Sequence, residues 1–153
     1  MADNFVANAG SGGSTFAADD VGGVLYSRVK VSIGPDGTAQ DGWTYKFILS
    51  AASTNGTVVK ASPGMLGFIY VVNLNAAVRY LKLYDSTSVT VGTTAQIAAL
   101  PIPASATGAG FVIPIPGGLA FPTGICAGLT TGSATGDTGS VAAGEIFVLF
   151  GYA

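Results

Sequence analysis

Glycine and proline cut this chain into runs too short for helices. Glycine accounts for 23 of 153 residues. No stretch repeats its apolar residues at a 3.6-residue period, and each glycine inside a helix costs about 1 kcal/mol relative to alanine. Strand grammar remains. From Tyr26 to Ile33, Val29, Val31 and Ile33 fall on one side and Arg28, Lys30 and Ser32 on the other. That is the period of two of a half-buried strand. Gly34-Pro35-Asp36-Gly37 closes it with turn chemistry. Further strands are expected over Trp43–Leu49, Thr57–Ala61, Leu66–Leu74, Val78–Tyr84, Gln96–Ile102, Gly110–Ile115, Ile125–Leu129 and Glu145–Tyr152. Asn55-Gly56, Pro63-Gly64, Gly117-Gly118 and Gly136-Asp137 supply the breaks. Pro101, Pro103, Pro114 and Pro116 belong at strand ends or sheet edges, where a missing N–H does no harm. Roughly eight to ten short strands with turns between them predict an all-β fold, a single β-sandwich of jelly-roll type.

Residues 1–24 read differently from the rest. Glycine and serine dominate their middle, with Phe5, Val6 and Phe16 as isolated apolar anchors. The reading is an extended N-terminal arm whose anchors dock elsewhere, followed by a sandwich domain over 25–153.

Two expected strands break the rule that a sandwich strand is apolar inside and polar outside. Leu66-Gly67-Phe68-Ile69-Tyr70-Val71-Val72 is apolar on both faces, and so is Ile146-Phe147-Val148-Leu149-Phe150-Gly151-Tyr152. The second face of each needs a cover: the arm, a loop or another subunit. Charged residues make up only 9% of the chain, against about 25% in an average domain. A surface so poor in charge favours a neighbouring subunit as the cover, because small neutral residues cost little desolvation on packing.

The same composition narrows the chemistry. Net charge is -2, and the six cations are scattered singly, so neither a phosphate-neutralising nucleic-acid site nor a polybasic membrane patch is expected. The opening Met-Ala-Asp-Asn has neither the basic nor the apolar region of a secretory signal. The longest apolar stretch, Leu66 to Leu74, is far short of a membrane span. The lone Cys126 cannot make an internal disulfide, which fits manufacture in a reducing cytoplasm with Cys126 as a small buried hydrophobe. There is no histidine, which removes the usual general base and the commonest zinc ligand together. No nucleotide-binding glycine motif is present. Eight acids are available, most in turn contexts where aspartate is locally useful. Asp19-Asp20 is a weak calcium signal, outweighed by turn or cap duty. No catalytic residue, metal or cofactor is expected, and the chain does not read as an enzyme.

The aromatic residues are the remaining candidates. Trp43, Tyr45, Tyr70, Tyr80 and Tyr84 could form a sugar-stacking platform. Tyr80, Lys82 and Tyr84 share one face of a strand if alternation holds, with Leu81 and Leu83 toward the core. Such a stripe suits a contact surface. The expected subunit-interface residues are Tyr70, Tyr80, Tyr84 and Phe147.

Three segments resemble tailed-bacteriophage virion structural proteins. They run from Phe16-Ala17-Ala18-Asp19-Asp20-Val21-Gly22-Gly23-Val24 through Val31, from Ala51 to Gly64, and from Ala76 to Tyr84. The resemblance implies a small β-sandwich on the outer surface of the phage head, of the decoration or cement type, made in the host cytoplasm. Such proteins are often trimers seated between capsomers. The implied partners are the major capsid protein, touched here through Phe5, Val6 and Phe16, and further copies of the chain. The alternatives are a tail, neck or fibre-base protein, and a glycan-binding adhesion module.

Overall fold

A computed structural model describes the backbone of three N-terminal strands and the full chain from Trp43 to Ala153. It divides into two compact units, Met1–Ile33 and Gly34–Ala153, and no helix occurs among the described residues.

In the first unit, β1 (Asn4–Val6), β2 (Thr15–Val21) and β3 (Val24–Ser27) form an antiparallel sheet in that order. Phe5 pairs with Phe16, and Val21 with Val24. These strands lie mostly within the segment 1–24 read from the sequence as an extended arm, and β3 runs past residue 24 to Ser27. Backbone pairing needs no apolar alternation, so the pattern gave no notice of these strands. The expected strand from Tyr26 to Ile33 meets β3 at Tyr26 and Ser27; its remainder and the turn at 34–37 lie outside the described residues.

The second unit holds β4 (Thr44–Leu49), β5 (Thr57–Lys60), β6 (Gly64–Asn73), β7 (Arg79–Asp85), β8 (Ala98–Ile102), β9 (Gly110–Phe121), β10 (Ile125–Thr130) and β11 (Ile146–Tyr152). They make two four-stranded sheets, ordered β4-β11-β6-β9 and β5-β10-β7-β8, with every pairing antiparallel. Each strand falls within a residue or two of its sequence expectation except β9. That strand runs on through Gly117 and Gly118, which were expected to end it. Both glycines take positive φ, 79° and 76°, so they make a bulge that only glycine adopts cheaply. Beyond it the pairing resumes in a shifted register, Phe68 opposite Pro114 but Leu66 opposite Leu119. The strand prolines sit where their missing N–H is harmless. Pro101 is in β8 and Pro114 and Pro116 are in β9, each the outer strand of its sheet.

One apolar cluster draws on both sheets. Ile48, Leu66, Ile69, Val71, Ile146, Val148 and Phe150 come from the first; Val59, Leu81, Leu83, Ile102, Ile125, Ala127 and Leu129 come from the second. Each large side chain here contributes about 1.5–3 kcal/mol of burial. Polar groups brace one end. The Asn73 amide donates to the carbonyls of Ala77, Ile102 and Pro103, joining β6 to β8. The Ser50 hydroxyl donates to Ala142 O and accepts from the backbone of Glu145 and Ile146. Glu145 pairs with Arg79 and also accepts from the Ala142 N–H. A nearly buried ion pair of this kind holds its place only because its other lone pairs are satisfied.

Candidate interaction surface

Each sheet turns one side to the core and one outward, and the two outward sides have opposite fates. On the β5-β10-β7-β8 sheet, the outward positions include Cys126 and Gly128 of β10 and Lys82 and Tyr84 of β7. Cys126 lies opposite Tyr84, and Gly128 opposite Lys82. All four are buried. Two loops, 86–97 and 131–140, cover them. Val91 closes over Gly128 so tightly that a Cβ there would run into it. The Cys126 thiol donates to Ser86 O at 3.0 Å. Lys82 Nζ donates to the carbonyls of Ala134 at 2.6 Å and Asp137 at 3.0 Å. The Asp137 carboxylate accepts from the N–H groups of Gly132 and Gly139, and Gln96 ties the two loops through Ser133 O. Sequestration lowers the Lys82 pKa, against an opposing pull from the charge of Asp137. Burial raises the pKa values of Tyr84 and Cys126.

Among the described residues, no loop covers the outward side of β4-β11-β6-β9. Register sets three rows across it. Leu49, Phe147, Val72 and Gly110 make the first. Phe47, Leu149, Tyr70 and Val112 make the second. Tyr45, Gly151, Phe68 and Pro114 make the third. No charged residue stands in any row. Tyr45 is 61% exposed, Phe47 58%, Leu49 51%, Val112 55% and Tyr70 38%. The aromatic rings are set against one another. Tyr45 and Phe68 lean together from the two strands flanking Gly151, with centroids 6.1 Å apart, and a Cβ at Gly151 would strike Phe68. Phe47 and Phe147 meet at 6.4 Å. Both separations fall within the range over which aromatic rings pack against each other. The patch is therefore an apolar floor whose rings already pack on one another.

Of the expected interface residues, Tyr70 and Phe147 are brought together on this floor. Tyr80 and Tyr84 are on the other sheet. Tyr80 is half-buried, while Tyr84 is sealed beneath the chain's own loops and offers no surface to a partner. The Tyr80-Lys82-Tyr84 stripe is thus an internal face in its lower part, closed by residues too far along the sequence for local pattern to reveal. The five aromatics do not make one platform either: Tyr45 and Tyr70 share one face, Tyr80 and Tyr84 the other, and the Trp43 ring lies over Gly67. Phe5, Val6 and Phe16 are in β1 and β2, in the other unit. Sequence reasoning passed over Phe47, Leu49 and Val112. The alternation Tyr45-Phe47-Leu49 was a signal, but one that ordinarily marks a core side; here Lys46 and Ile48 turn inward instead, opposite Phe150 and Val148.

Asp85, Asp137 and Glu145 serve as loop locks. Asp85 accepts from the N–H groups of Thr123 and Gly124, Asp137 and Glu145 as above. Among the described residues no group of three or more His, Cys, Asp or Glu is placed to hold a metal ion. No protein-family model, no curated protein and no solved structure matches this chain.

Proposed function

We propose that this chain is a bacteriophage capsid decoration protein, a β-sandwich that binds the outer head between capsomers and braces the shell. The observation that carries the reading of a structural, subunit-contacting protein is the uncharged, aromatic floor on β4-β11-β6-β9, open among the described residues. An exposed apolar area of this kind is a liability on a free monomer and marks an interaction site. Its lack of hydrogen-bonding groups beyond the Tyr45 and Tyr70 hydroxyls suits protein better than sugar. The sheet orders add support. In β4-β11-β6-β9 and β5-β10-β7-β8, the first strand of the eight neighbours the last, and the second neighbours the seventh. This ordering supports the jelly-roll reading, an architecture frequent in viral shells. Fold alone does not fix function; the floor and the low charge supply the rest. In this reading the major capsid protein is met through the N-terminal segment with Phe5, Val6 and Phe16, and many weak contacts repeated by symmetry give the avidity.

The test is to find the protein on purified phage particles and count it. Quantitative mass spectrometry is expected to give hundreds of copies per particle, and cryo-electron microscopy is expected to place them on the head surface. A few to tens of copies at one vertex or along the tail would move the protein to the neck, tail or fibre base. Absence from particles would overturn the reading.

A further inference from the structure

We infer that the floor formed by β4, β11, β6 and β9 seats the same floor of a second copy of this chain, across a two-fold axis. The inference deepens the reading of that surface as an interface and does not depend on where in a particle the protein sits.

The edges come first, because exposed strand edges are the other route by which β proteins associate. All four are blunted. β9 carries Pro114, Pro116 and the Gly117-Gly118 bulge; β8 carries Pro101. β5 has four residues only. β4 points the charged Lys46 inward, level with Phe150, a known device against edge pairing. Lateral strand addition is thereby disfavoured at every edge of these two sheets, and the face is left as their adhesive surface.

Its chemistry then selects the occupant. A floor without charge asks for no complementary sign, and a second copy presents a surface equally apolar and uncharged. The size is adequate. At roughly 200 Å² per aromatic side chain, the open parts of Tyr45, Phe47 and Tyr70 alone amount to about 300 Å². With their aliphatic neighbours the face offers on the order of 500 Å², at the upper range for a lone monomer. Two such faces in contact bury about 1,000 Å², the threshold for a specific interface. Stacked sheets pack at about 10 Å with a modest rotation between strand directions, and the three rows supply knobs on both sides. The axis follows from symmetry. A patch that meets its own like is related to it by a two-fold; around a three-fold it would meet a different surface. Among the described residues, the outward side of the other sheet is covered by loops 86–97 and 131–140 and offers no second apolar floor. The trimer implied by the phage resemblance gives way here to a dimer.

The experiment is light scattering after size exclusion on the full chain, at several concentrations, for wild type and three variants. Wild type is expected at twice the 15.1 kDa chain mass. Phe47→Asp and Val112→Asp, both on exposed positions of the floor, are expected to raise the dimer dissociation constant at least about thirtyfold, the measure of a hot spot, and to run as monomers with β-type circular dichroism intact. Val58→Asp, on the other sheet, is expected to remain dimeric. A monomeric wild type overturns the inference. If Phe47→Asp also melts far below that monomer, the floor is covered by the chain's own N-terminal segment. A trimer, or a dimer that survives both floor variants, equally overturns it.

Discussion

Lys82 and Phe47 both stand on the outward side of a strand, and their surroundings are opposite. Lys82 would carry its charge into water if nothing lay above it, yet it is buried, its ammonium spent on two loop carbonyls. Phe47 would gain by burial, yet more than half of it is open. One sheet wears its own loops over a polar stripe; the other has an apolar floor that no described loop covers. Side-chain character does not decide which face is covered. The long loops do, and both belong to the β5-β10-β7-β8 side. Among the described residues, the sheet without a long loop of its own is the one whose outward side is apolar and open.

The largest effect that sharpens this contrast lies within β11, which has one side in each environment. Phe150 faces the core and is fully buried; Leu149 is its outward neighbour. Phe150→Ala is expected to cost about 3–5 kcal/mol. Leu149→Ala is expected to cost less than about 1 kcal/mol in a monomer held at low concentration, since surface substitutions seldom do more. Chemical denaturation of the two variants side by side is the measurement. Equal losses would mean that the floor is covered within a single chain.

A smaller effect probes the sealed face. Lys82→Met keeps the length of the side chain but strands the carbonyls of Ala134 and Asp137, at a cost of about 1–3 kcal/mol. The amides of Gly132 and Gly139 are expected to exchange with deuterium sooner, because the loop that Asp137 organises loses its tether. If loop exchange is unchanged, the lysine does not hold the cover in place.

Alkaline pH gives the smallest effect, confined to the same face. Burial raises the pKa values of Cys126 and Tyr84 above their ordinary 9.0 and 10.0. Above those values the unfolded chain has shed protons that the folded chain still holds, so stability falls as pH rises. Lys82, its pKa lowered, works the other way as pH approaches 10.5. Wild type is expected to begin losing stability above pH 9, and Cys126→Ala to delay the onset toward pH 10, by about 1 kcal/mol or less. Urea midpoints between pH 7 and 11 decide it; identical onsets would show that the thiol does not contribute.

The strands of the second unit were legible because each is short, β-rich and bounded by turn residues, and local pattern carries that information. The double-sided character of β6 and β11 was legible too, and both are interior strands of one sheet. What covers a face was not legible. Val91 lies over Gly128, and Ala134 over Lys82, at separations no window spans. The inward turn of Lys46 was hidden for a related reason: on an edge strand a lysine can lay its stem along the core and reach solvent past the rim, so alternation alone assigns β4 backwards. In the first unit Gly22-Gly23, between the runs ending at Val21 and starting at Val24, was an available hairpin signal.

The eight strands of the second unit also pair as nested brackets. β7 joins β8, β6 joins β9 around them, β5 joins β10, and β4 joins β11 outermost. Measured along the chain, Leu49 and Phe147 are remote partners, and closing so long a loop from a random coil is slow. Nesting removes the difficulty, since each inner pair draws the ends of the next one together before it forms. The unit can therefore zip outward from the β7–β8 hairpin, so that this most local pairing governs how fast the chain folds. The outermost pair then governs how fast it comes apart. Stopped-flow kinetics would show this as Leu83→Ala chiefly slowing refolding and Ile48→Val chiefly hastening unfolding; the reverse assignment would place the nucleus at the outer strands.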